Sequence, residues 1–127
     1  LWGGTIGPDF DCSGLVQSAF ASQSIWIPRD AYQQEKYCDK LIVNIDEWEL
    51  LKPGDLLFFG NESKCDHVGI YRGEGTYIHS SGKSYGRDGI AYDHLQLINH
   101  NPVSSYYRSR FRCAGRVSRC HDGNTLP

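Results

Sequence analysis

Cys12 stands where the chain changes texture. Residues 1–11 are loop-like, punctuated by Gly3, Gly4, Gly7, Pro8 and two aspartates. From Ser13 to about Ser22, Leu15, Val16, Ala19 and Phe20 recur at helical spacing. Cys12 is therefore predicted at the start of a helix, an end with partial positive charge and unpaired amide protons. Both favour thiolate over thiol, and the same amides could hold a developing oxyanion. A small buried apolar cysteine is the ordinary alternative. A cysteine nucleophile needs a base, and the base needs an orienting partner. His67 and His79 are twelve residues apart, and their midpoint, Gly73, lies in a predicted turn. In an antiparallel pair centred there they face each other directly, with Cβ atoms ~5 Å apart. A change of register would set them diagonal or on different faces. Side by side, two imidazoles serve as base and orienter; two unrelated surface histidines are the competing reading.

Metal chemistry ranks lower. Cys65, His67 and His79 could bind zinc with Cys12 as fourth ligand, but Cys65-x-His67 lacks the usual ligand spacing. The sequence thus predicts no metal and no cofactor. Cys120-His121 falls in a predicted frayed tail after Arg119. Arg108, Arg110, Arg112, Arg116 and Arg119 are expected as a solvated strand face, not a phosphate site. The tryptophans Trp2, Trp26 and Trp48 and the tyrosines are expected in the core and on sheet surfaces.

The elements that must position these groups follow from pattern. A second helix is predicted over Asp30 to about Lys36 with Asp30 as cap, and a helical turn over Asp46 to Leu51. Residues 55–59, 67–72 and 76–80 read as strands, the last two as a hairpin across Gly73-Glu74-Gly75. A later strand is predicted around Arg110 to Val117. Helices first and strands afterwards is the α+β pattern, with helices on one side of an antiparallel sheet. The Tyr85 to Tyr107 stretch carries no assignment beyond a candidate groove wall.

Composition bounds the function. The chain has 127 residues, 39% hydrophobic and 22% charged, which fits one globular domain. Its net charge of -2 excludes a general nucleic-acid or polybasic membrane binder. No apolar run approaches the ~18 residues of a membrane span. There is no methionine, so a segment upstream of Leu1 is expected. Five cysteines without a CxxC leave one thiol unpaired and point to a reducing, cytoplasmic setting. A lost upstream signal leaves the periplasm or cell wall open.

The order of motifs resembles the NlpC/P60 family of bacterial cell-wall cysteine peptidases. Trp2-Gly3-Gly4, Phe10-Asp11-Cys12-Ser13-Gly14-Leu15-Val16-Gln17, Ile27-Pro28-Arg29-Asp30-Ala31 with Gln34, and Pro53-Gly54-Asp55-Leu56 with Phe58-Phe59 carry it. So do His67-Val68-Gly69-Ile70-Tyr71, Tyr77-Ile78-His79-Ser80 and Ala114-Gly115-Arg116. Gly4-Thr5-Ile6-Gly7-Pro8-Asp9-Phe10 and Trp26-Ile27-Pro28-Arg29-Asp30 are most similar to the cyanobacterial γ-D-glutamyl-L-diamino-acid endopeptidases. The resemblance implies a papain-like α+β fold over residues 1–119, with a tail at 120–127. It implies Cys12 as nucleophile, His67 as base and His79 as orienter, with Asp11 and Ser80 binding the peptide, Asp11 through the amine of L-Ala. The implied substrates are peptidoglycan stem peptides and muropeptides, cut between D-Glu and diaminopimelate or lysine. A tyrosine that the family carries upstream of Leu1, and an SH3-like domain that the cyanobacterial relatives carry there, are expected in a longer protein. Competing readings are an amidase or acyltransferase on the same scaffold, a non-catalytic wall-binding module, and a structural zinc domain.

Overall fold

Helix α1 (Cys12–Ala21) begins where Asp11 caps it and buries Val16 from its apolar face. The computed structural model describes residues 11–81, 89–96 and 102–118. Helix α2 (Ala31–Tyr37) starts after Asp30, whose amide donates to Gln33 Oε1 at 3.1 Å, one half of a capping box. Strand β1 (Asp39–Leu41) and a 3₁₀ turn (Ile45–Leu50) follow. Then come β2 (Leu56–Gly60), β3 (Cys65–Gly73), β4 (Thr76–Ser81), β5 (Gly89–His94), α3 (Pro102–Ser109) and β6 (Phe111–Arg116). The sheet runs β1-β6-β2-β3-β4-β5, and every neighbouring pair is antiparallel.

Every residue of β2 is buried, because both faces of the sheet are covered. Leu56, Phe58 and Val68 pack with Cys12, Val16 and Ala31 under the α1–α2 layer. Leu57, Phe59 and Tyr77 pack with Tyr107 of α3 and with Leu51 and Trp48 beside the 3₁₀ turn. Helices on one side only was therefore an incomplete expectation: α3 covers the second face. Strand β5 and α3 both lie in the stretch that carried no assignment. The predicted tail after Arg119 lies outside the described residues, as do Trp2, Arg119 and Cys120. Trp26, expected in the core or on the sheet, is exposed.

The four described arginines of the row are part-exposed, and each is held in an ion pair. Arg108 pairs with Asp46 at 2.6 Å, Arg110 with Asp66 at 2.8 Å, Arg112 with Glu35 at 2.9 Å and Arg116 with Asp55 at 2.8 Å. Each joins segments far apart in sequence, and Arg108 belongs to α3, not to a strand.

The β3–β4 hairpin also departs from expectation. Its loop is Glu74-Gly75, both at positive φ (55° and 76°), as a two-residue turn between paired Gly73 and Thr76 requires. A bulge between Tyr71 and Gly73 then shifts the register, pairing Tyr71 with Tyr77 and Ile70 with Ile78. Continuing that register places Gly69, not His67, opposite His79. The two histidines share a face on a diagonal.

Candidate active site

Asp11 builds the entrance to the site. Its Oδ1 accepts the Gly14 amide at 2.7 Å and its Oδ2 accepts Arg29 Nη2 at 2.9 Å. Cys12 is thereby the first residue of α1, as expected. Its protonation is not as expected. Burial pushes the thiol up from 9.0 to about 11, and Asp11 adds to the rise; amides of Val68, Ser13 and Cys12 only partly oppose it. The cap is itself an anion and takes up the positive end of the helix. The sulfur lies 3.9 Å from the Asp66 carbonyl and is not hydrogen-bonded to the His67 ring.

His67 projects from β3 onto the face opposite the α1 layer. Its ring stacks on Tyr107 at 4.5 Å between centroids and leans on Phe59 at 5.6 Å. Burial first, then His79 and Arg110, hold the imidazole well below the usual 6.5, while Asp93 opposes the fall. Its Nε2 lies 2.7 Å from His79 Nδ1. The diagonal contact is possible because Gly69 leaves room for it. A Cβ there would sit 2.9 Å from Tyr77 Cδ2 and 3.3 Å from His79 Cβ.

The line of contacts continues past His79. Its Nε2 lies 2.7 Å from Asp93 Oδ2, with both side chains fully buried. Ser104 Oγ donates to Asp93 Oδ1 at 2.9 Å. Sequence reasoning missed both residues. An aspartate in an edge strand and a serine in a short polar helix carry no sign of a partner that only the fold supplies.

Beside Cys12 a cleft of about 270 Å³ opens, lined in part by Asp11, Ser13, Tyr32, Lys64 and Asp66. Ser80 is buried on β4 and is not among the lining residues. A larger cleft of about 610 Å³ lies against β6 and contains none of Cys12, His67 and His79. It is open, and its Arg112 is already held by Glu35. Among the described residues no group of three His, Cys, Asp or Glu could hold a metal ion. Cys65 is inert by burial, with its thiol pushed up to about 12 and donating to the His67 carbonyl at 3.5 Å. No helix of the described residues is long and apolar enough to cross a membrane.

A thiol at a helix start, beside a hairpin bearing two linked histidines, one on each strand, on a mixed α+β scaffold, defines a class of proteins. The NlpC/P60 family profile matches residues 1–116, and the chain belongs to that family. It is 45% identical over 89 residues to the gamma-D-glutamyl-L-lysine dipeptidyl-peptidase of Bacillus subtilis (strain 168), covering 66% of this chain and 28% of that protein. It is 40% identical over 121 residues to the bifunctional muramidase/DL-endopeptidase CwlT of the same strain, covering 91% and 31%. The crystal structure of an NlpC/P60 family protein from Bacillus cereus ATCC 10987 superposes with a TM-score of 0.74 at 29% identity, over 92% of this chain and 34% of that one. The chain thus spans about a third or less of the length of these relatives. The cyanobacterial nearness drawn from the motifs rests on those motifs alone.

Proposed function

We propose that this chain is the catalytic domain of a cysteine endopeptidase cutting the γ-D-glutamyl–diamino acid bond of peptidoglycan stem peptides. The observation that carries the reading is the placement of Cys12. Its thiol lines a cleft and lies against the residue that precedes His67, whose ring is held by His79. The name of the first Bacillus subtilis relative supports a γ-D-glutamyl bond to a diamino acid, and that of the second supports a DL-endopeptidase.

In this reading the thiol leaves the Asp66 carbonyl and passes its proton to His67. The sulfur electron pair adds to the γ-amide carbonyl carbon, and the α1 amides receive the oxyanion. The C–N bond breaks as His67 returns the proton to the departing amine of the diamino acid. Water then adds to the thioester with His67 as base, releasing the γ-glutamyl acid and the thiol. Asp11, which lines the cleft, is the proposed contact for the amine of L-Ala; Ser80, buried and outside that lining, has its peptide-binding role from the resemblance alone.

The test is incubation of the chain, and of Cys12→Ala, with L-Ala-γ-D-Glu-diaminopimelate and with L-Ala-γ-D-Glu-L-Lys, read by mass spectrometry. Release of L-Ala-D-Glu and the free diamino acid by the parent alone is expected. Release by the variant too would reject the thiol; release by neither would reject this peptidase reading.

A further inference from the structure

Resting on that reading of Cys12 and His67, we propose that Asp93 is a positioning residue which, through His79, fixes the nitrogen of His67 that can take a proton. The argument is one of hydrogen-bond direction. Ser104 Oγ accepts the His94 amide at 3.2 Å, which turns its own hydrogen toward Asp93 Oδ1, 2.9 Å away. Asp93 is wholly buried, and its other oxygen lies 2.7 Å from His79 Nε2. An ionised carboxylate only accepts, so His79 Nε2 carries a hydrogen. A neutral imidazole has one such hydrogen, so His79 Nδ1 is a bare acceptor. It sits 2.7 Å from His67 Nε2, which must therefore be the donor. What remains bare is His67 Nδ1, the one ring nitrogen left to take a proton.

Without the carboxylate nothing sets this direction. His79 could carry its hydrogen on Nδ1 and donate to His67 Nε2, leaving Nδ1 protonated and useless as a base. Asp93 has a second effect. When His67 accepts a proton it becomes a buried cation, and Asp93 is the group that raises its proton affinity against burial and Arg110. The role reaches the reacting atoms only through His79, and α3 takes part by supplying Ser104.

The test has two parts. In the parent, ¹⁵N spectra of histidine-labelled protein at pH 7.5 should show His67 and His79 both carrying a proton on Nε2, with His67 Nδ1 bare. An Nδ1-protonated His67, or a cationic His79, overturns the proposal without any variant or substrate. In Asp93→Asn the amide can donate where the carboxylate accepted. The His67 tautomer should then invert or become mixed, and kcat should fall roughly 10²- to 10⁴-fold. KM should stay within about threefold, since Asp93 does not line the cleft. An unchanged tautomer with kcat within twofold leaves Asp93 a purely structural residue and overturns the proposal. Tautomer inversion in a chain that cleaves neither tripeptide upholds the positioning role and rejects the proposed substrate instead. Ser104→Ala, which deletes one bond to Asp93, should shift the same ring resonances in a milder form and serves if Asp93→Asn fails to fold.

Discussion

Cys12 and His67 rest as a neutral thiol and a neutral imidazole. Burial pushes the first up to about 11 and holds the second well below 6.5, so a preformed ion pair is disfavoured on both sides. Iodoacetamide should therefore label Cys12 at a rate still climbing at pH 9–10, followed by peptide mapping. A plateau at or below pH 7 would mean a standing thiolate. Gly69→Ala should abolish the diagonal contact of the histidines, since the new Cβ meets Tyr77 and His79. We expect a stability loss of about 1–3 kcal/mol in urea titration and a larger proportional loss of turnover. At this scale the sequence was legible where a residue type announces chemistry. Cys12, His67 and His79 all stood out. The thiol's charge state did not, because a helix end predicts a thiolate only if its cap is not an anion and its surroundings are wet.

The strands and helices show the same divide. Helix α1 was readable from its apolar period, α2 from its Asp30 cap, and strands β2, β3, β4 and β6 from short apolar or alternating runs bounded by turns. Strand β5 was not, since Ile90 and Tyr92 are exposed on the sheet's edge and no apolar stripe marks it. Helix α3, Pro-Val-Ser-Ser-Tyr-Tyr-Arg-Ser, is short and polar, and it is held by docking rather than by propensity. The hairpin was legible but its register was not, because a one-residue bulge has no composition of its own. Asp55 ties these elements together. It accepts the Lys52 amide at 2.8 Å before β2 and two bonds from Arg116 at 2.8 Å on β6. Its carboxylate is nearly fully buried. Asp55→Ala should cost about 2–3 kcal/mol by chemical denaturation; a loss under about 0.5 kcal/mol would show the cluster to be ornamental.

Across the whole molecule, the proposed nucleophile and base come from opposite layers. Cys12 belongs to the core under α1 and α2, and His67 packs with Phe59 and Tyr107 on the α3 side. Burial of these groups bounds stability on both flanks of pH. His67 has a lowered folded value, so below about 6.5 the unfolded chain binds a proton that the folded chain refuses, and stability falls with pH. Cys12, Cys38, Cys65 and Cys113 are raised from 9.0 to about 11 or 12, so above about 9 the unfolded chain releases protons that the folded one keeps, and stability falls again. Urea midpoints should be highest between those limits and lower at pH 5 and pH 10. Flat midpoints across that range would contradict the burial of these side chains.

The resting thiol also has a chemical lifetime. With its value pushed up to about 11 by burial, very little of Cys12 is ionised at neutral pH. Peroxide attacks the ionised sulfur, and little of the side chain reaches solvent. The Cys12 thiol should therefore outlast an oxidative burst that would convert an ion-paired cysteine to its sulfenic acid.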